Sequence, residues 1–152
     1  MRRARLPLAA LMLAATAAPS LAGEAIHVMK TSGCGCCVAW MDHLEANGFA
    51  PTGENMHGGM LVQEKIAAGV PPTMTSCHTA RVDGYVIEGH VPAADIQRLL
   101  AERPDAVGLS VPGMPFGSPG MGPETRREAY DVHLIRPDGT TEIFTSYAKG
   151  KG

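Results

Sequence analysis

Aromatic residues are scarce in this chain of 152 residues: three Phe, three Tyr and one Trp. So few rings argue against an aromatic-lined platform for sugars or nucleobases, which works by stacking. Positive charge is scarce once the N-terminus is set aside. Arg2, Arg3 and Arg5 supply three of the thirteen basic residues, so beyond residue 22 ten Lys/Arg face fifteen Asp/Glu and the net charge is −5. That balance repels a polyanion and excludes nucleic-acid binding as a main role. No Gly-rich loop ending in Lys-Ser/Thr offers a phosphate cradle. No apolar run reaches the ~20 residues of a membrane-spanning helix.

The longest apolar run, from Leu6 to Ala18, follows the three arginines and leads to Ser20-Leu21-Ala22. A basic start, a short apolar stretch and a small-x-small site are the marks of a secretory signal peptide, with cleavage expected after Ala22. Residues 1–22 are therefore read as a leader and 23–152 as the mature protein, exported and without a membrane span. A chain of that size supports one domain with its own core, and neither a repeat nor a charge block marks a second.

Along the mature chain the pattern is α/β. Residues 24 to 30 alternate as a half-buried strand does, Ile26 and Val28 on one face and His27 and Met29 on the other. Cys37, Trp40, Met41 and Leu44 then recur at helical spacing until Asn47-Gly48. A short extended stretch around Thr52 to Asn55 precedes a helix predicted from about Leu61 to Ala68, which Pro71-Pro72 stops. Thr73 to His90 reads as a hairpin around Asp83-Gly84, and Pro92 opens a helix to about Glu102 with Ile96, Leu99 and Leu100 inward. Residues 108 to 122 carry five Gly and three Pro and read as a constrained loop. Tyr130 to Arg136 and Thr140 to Thr145 flank Pro137-Asp138-Gly139 as a second hairpin. The order βαβαββα, with a dithiol after the first strand, looks like a thioredoxin-like single domain carrying a Gly/Pro-rich loop and an added β-hairpin.

Four cysteines carry the chemistry: Cys34-Gly35-Cys36-Cys37 at a strand-to-helix junction, and Cys77. Helix N-termini stabilise thiolates, which makes such cysteines good nucleophiles and good soft-metal ligands. Cys34 and Cys37 alone satisfy Cys-x-x-Cys, the spacing of a redox pair. Cys36 spoils that simple reading, since a third adjacent thiol could scramble the pair, and three thiols in four residues suit bridging of metal ions. Val38 stands where c-type haem attachment needs His. A four-cysteine zinc or iron–sulfur site is chemically open, but Cys36 and Cys37 adjoin rather than forming the usual spaced hooks. Two structural disulfides are the bland alternative in an exported chain, although stapling gives no reason to crowd three cysteines together.

The strings CGCC (34–37), SCHTA (76–80), GYVIEGHVP (84–92), LLAERP (99–104), GLSVPGMPFGSPGM (108–121) and YDVHL (130–134) resemble the CopG-type periplasmic copper-resistance proteins, a thioredoxin-like family. The similarity runs from about Ile26 to Met121, with motifs in the expected order. It implies a periplasmic protein of copper tolerance that binds copper, as one or several ions, through Cys34, Cys36, Cys37 and Cys77. Other periplasmic copper-handling proteins are the partners such a role implies.

Ligand softness points the same way, because thiolate and thioether donors select Cu(I), whereas Mg or Ca would require clustered carboxylates and carbonyls. Seven methionines in the mature chain fit that preference. Met29, Met41 and Met74 lie in periodic elements and read as core. Met114 and Met121 sit in the Gly/Pro loop, outside any helical stripe, and are candidate outer ligands, with the loop expected to fold over the cysteines. His78 beside Cys77 and His90 at the predicted rim are candidate imidazole ligands, each also able to bond the backbone instead. His27, His43 and His133 read as ordinary partly exposed residues. His57, inside Met56-His57-Gly58-Gly59-Met60, is a candidate for a weak second copper site, in a segment that the resemblance does not account for. Two functional classes follow: a Cu(I)-binding protein, with or without electron exchange between thiols and copper, and a thiol–disulfide oxidoreductase in which Cys34 attacks and Cys37 resolves.

Overall fold

The computed structural model describes residues 23–151, so the predicted leader over residues 1–22 lies outside the described residues. Strand β1 (Glu24–Thr31) buries Ile26, Val28 and Met29 and exposes His27. Helix α1 (Gly35–Ala46) buries Cys37, Trp40 and Leu44 at the predicted spacing. It starts two residues earlier than the apolar pattern implies, which makes Cys34 its N-cap residue. Strand β2 (Phe49–Met56) lies parallel to β1, with Thr31 opposite Met56. Helix α2 (Gly58–Ala67) turns Leu61 and Lys65 inward.

The predicted hairpin is β3 (His78–Val82) and β4 (Tyr85–Glu88), preceded by a 3₁₀ turn at Pro72–Met74. Helix α3 (Ala93–Glu102) begins immediately after Pro92, whose fixed φ suits a helix start. Ile96 and Leu99 are fully buried on it, each burial stabilising by about 1.5–3 kcal/mol. Leu100 is only partly buried against the same core.

Segment 108–122, expected to be loop throughout, instead begins with a short strand, β5 (Gly108–Ser110), whose three residues are all buried. Pairing on both sides explains it. β5 runs parallel to β4 and antiparallel to β6 (Tyr130–Ile135), so flanking ladders satisfy its backbone and outweigh the low strand propensity of glycine. The final hairpin of β6 and β7 (Thr141–Tyr147) is therefore no separate appendage. Among the described residues all seven strands form one sheet in the order β2-β1-β3-β4-β5-β6-β7. Together with helices α1, α2 and α3 it makes a mixed α/β domain.

Strand directions decide where the chemistry lands. β1, β2, β4 and β5 run one way and β3 the other. Cys34 follows β1, His57 follows β2, Cys77 precedes β3, His90 follows β4, and the Gly/Pro loop follows β5. All five positions therefore meet at one end of the sheet.

Candidate metal centre

The sulfur atoms of Cys34, Cys36, Cys37 and Cys77 lie within 4.8 Å of one another, although Cys77 is forty residues from Cys37 in sequence. Cys34 and Cys37 are closed as a disulfide, and Cys36 and Cys77 are free. Cys34 Sγ is 3.5 Å from Cys36 Sγ, and Cys37 Sγ is 3.7 Å from Cys77 Sγ. Cys37 is fully buried, whereas the other three are partly exposed. The first-turn N–H groups of α1 lie at this cluster with no side-chain cap and no acidic residue, so the helix end favours negative sulfur.

Two imidazoles complete the surroundings. His78 Nδ1 is 3.2 Å and His90 Nε2 3.1 Å from Cys77 Sγ. Both rings are fully buried, which corrects the expectation that His90 lies at the rim. His90 Nδ1 is 2.8 Å from the carbonyl oxygen of Pro119. A carbonyl only accepts, so Nδ1 carries the proton and the Nε2 lone pair faces the sulfur. A second hydrogen bond fixing the tautomer in this way is the usual arrangement behind a ligating histidine.

Burial holds both rings neutral. His78 is pushed down to about 3, by desolvation first and then by His90 and Lys65. His90 is lowered by desolvation against the raising effect of Pro119. Desolvation, followed by the neighbouring Cys36, pushes Cys77 up to about 11. In the absence of metal Cys77 is therefore a thiol, and its proton leaves when a cation replaces it. His78 Nε2 is buried without a hydrogen-bond partner, an uncommon expense for a polar atom. The donor set is sulfur and imidazole without a carboxylate, and it fits a soft cation such as copper.

Several residues that build the site were not assigned to it from sequence. Trp40 packs its ring against His78, with centroids 4.3 Å apart, and its indole donates to the Val91 carbonyl at 2.8 Å. Beside the cluster lies a buried ion pair, Lys65 Nζ to Glu88 Oε1 at 2.5 Å. Lys65 also donates to Thr79 Oγ1, and the Thr79 hydroxyl donates to Glu88 Oε2 at 2.7 Å. Glu88 Oε1 accepts the Ser76 backbone N–H at 2.6 Å, immediately before Cys77. Burial raises the Glu88 carboxyl and Lys65 opposes that rise. Gly89 joins β4 to His90 at φ +73°, and a Cβ there would sit 2.4 Å from Ser76 Oγ.

The Gly/Pro loop covers the site through its backbone. Gly113 accepts from the Ser76 hydroxyl and donates to the Thr75 carbonyl, and Pro119 meets His90. A Cβ on Gly120, φ +82°, would sit 2.7 Å from both the Cys36 carbonyl oxygen and the Trp40 nitrogen. The candidate thioethers are farther out by exposure: Met114 is 54% exposed, and Met121 is half-buried in a turn bonded to Gly117 and Ser118. A cavity of about 400 Å³ shares Pro119 and Gly120 with the site but includes none of its cysteines; His43, Glu124, Tyr130 and Tyr147 are among its walls. Met29 is buried, and Met41 and Met74 pack against the hydrophobic clusters, as expected. His27 bonds Thr52 and Glu54, and His43 accepts from the Ala93 N–H at 3.1 Å.

Comparison with known proteins gives concordant matches. A family described as "Protein of unknown function, DUF411" matches residues 74–121. A solved structure of copper resistance protein CopG, Form 1, is 47% identical and has a TM-score of 0.76, covering 83% of this chain and 98% of that one. Form 2 of the same protein is 46% identical with a TM-score of 0.75, covering 82% and 98%. No curated protein matches the chain significantly.

Proposed function

The chain belongs to the CopG family of copper resistance proteins, and on that footing we propose that it is an exported, periplasmic copper-binding protein holding Cu(I) through Cys34, Cys36, Cys37 and Cys77. The observation that carries this reading is the meeting of four sulfurs from two distant segments within 4.8 Å, with two neutral imidazoles against the fourth. Sulfurs this close can bridge ions, so the site is suited to more than one copper. His78 and His90 are the additional ligand candidates, His90 through Nε2, and Met114 and Met121 are outer ones. The leader predicted over residues 1–22 and the N-terminal strand order β2-β1-β3-β4, which is that of thioredoxin-like folds, support this assignment. Among the described residues no helix is long and apolar enough to cross a membrane.

The Cys34–Cys37 disulfide favours a second, compatible reading as a thiol redox protein. As a dithiol the pair can give two electrons, one to each of two Cu(II) ions, yielding the disulfide, two Cu(I) and two protons. Cys34, at the helix N-cap and partly exposed, would attack a disulfide substrate, and the buried Cys37 would resolve it. Metal analysis and a Cu(I) absorbance titration of reduced protein, beside an insulin-reduction assay, separate the readings. Stoichiometric copper without insulin turnover is expected; turnover without copper would make the protein a thiol–disulfide oxidoreductase.

A further inference from the structure

We propose that Met56, His57 and Met60 form a second, outer soft-metal site that captures Cu(I) at the rim and hands it to the cysteine cluster; the hand-over rests on the copper reading above. These residues occupy the junction of β2 and α2. The pairing of Thr31 with Met56 brings that junction to the sheet end where Cys34 follows β1 three residues later. His57 is the N-cap of α2, and its carbonyl accepts the Leu61 N–H at 3.0 Å. Met60 is therefore the third helical residue. N-cap and third-residue side chains share the face of the first turn, the adjacency used by a capping box.

Packing does not account for His57 or Met60, nor helix propensity for the glycines between them. Met60 is 56% exposed, Met56 is half-buried and His57 is exposed without a side-chain cap bond. The inward face of α2 belongs to Leu61 and Lys65. Gly58 and Gly59 weaken a helix by up to about 1 kcal/mol each relative to Ala. No close approach calls for them either, since an added Cβ would find nothing within 4 Å at either position. Two thioethers and an imidazole are soft, neutral donors that select Cu(I) and hold it less firmly than four thiolates do. The ion would then pass inward by exchanging ligands, its oxidation state unchanged.

The test titrates reduced protein, labelled with ¹³C at the methionine methyls, with Cu(I). Copper–thiolate absorbance reports the cysteine cluster. Beyond its saturation, further Cu(I) is expected to shift the Met56 and Met60 methyls and the His57 ring signals. In the variant Met56→Leu/His57→Gln/Met60→Leu those shifts vanish, and filling of the cysteines from dilute Cu(I) slows roughly tenfold because local capture no longer concentrates the ion. The final absorbance and the thermal midpoint of the metal-free variant stay as in the parent. Methyls that do not move overturn the site; methyls that move with an unchanged filling rate overturn the hand-over. Methyl shifts without any copper–thiolate absorbance would sustain the outer site and sink the cysteine reading instead.

Discussion

At the scale of single residues, the arrangement around Cys77 makes the sharpest demands. Cys36 lies outside the Cys34–Cys37 disulfide yet shares its sulfur cluster. Cys36→Ser should therefore lower copper stoichiometry, or affinity by on the order of ten- to a hundredfold, while sparing any dithiol activity. Equilibrium competition with a Cu(I) chelator reads the first and insulin reduction the second; unaltered copper binding would remove the case for a four-cysteine site. His78 gives a pH prediction for metal-free protein. Its folded pKa, about 3, lies below the ordinary 6.5, so as pH falls the unfolded chain takes up a proton that the native state refuses. The stabilisation is complete above 6.5 and is lost progressively towards 3, by roughly several kcal/mol. Denaturant unfolding across that range should show the loss, and His78→Gln should flatten it.

At the scale of elements, Lys65, Thr79 and Glu88 tie α2, β3 and β4 together behind the site, and Glu88 also holds the Ser76 N–H. Glu88→Gln leaves the buried ammonium of Lys65 without its counter-charge and should destabilise by about 3–5 kcal/mol. Lys65→Met/Glu88→Leu should recover most of that loss, since an apolar pair removes both buried charges, but it still deprives the Ser76 N–H of its acceptor. Copper affinity should then be depressed although stability returns, a divergence that chelator competition and thermal unfolding can detect together. Gly120→Ala tests the backbone cover. The new methyl would press on the Cys36 carbonyl and the Trp40 nitrogen at a left-handed φ, so displacement of the loop and a loss of about 1–3 kcal/mol are expected. Tryptophan emission reports Trp40 directly.

For the whole molecule, the seven-stranded sheet makes the C-terminal hairpin part of the core: Leu109 pairs with Leu134, and Val132 and Leu134 are buried in the main cluster. Ending the chain at Pro123 would uncover that face and β5 with it. Such a truncation should unfold or aggregate, rather than leave a smaller copper-binding domain, as size-exclusion chromatography and circular dichroism would show. Substituting Leu for Met114 or Met121 keeps the bulk and removes the sulfur. Unchanged Cu(I) affinity and copper X-ray absorption, with lowered thermal stability, would mark the loop as a structural cover and confine the site to cysteine and histidine.

The sequence by itself determined the order of the elements other than β5, and it picked out the crowded cysteines Cys34, Cys36 and Cys37 of the candidate site. Both are local signals: Ile26 and Val28 alternate, Cys37, Trp40 and Leu44 follow a helical period, and Cys34, Cys36 and Cys37 are neighbours along the chain. It also hinted at what it could not place, with Lys65 four residues after Leu61 on an inward helix face and Glu88 closing the apolar run Tyr85-Val86-Ile87. Only the tertiary structure decided that these two charges pair, that residues 108–110 form a strand, and that Pro119 sets the proton on His90. Each depends on contacts between residues distant along the chain, and strand direction and register, rather than local propensity, fix those contacts.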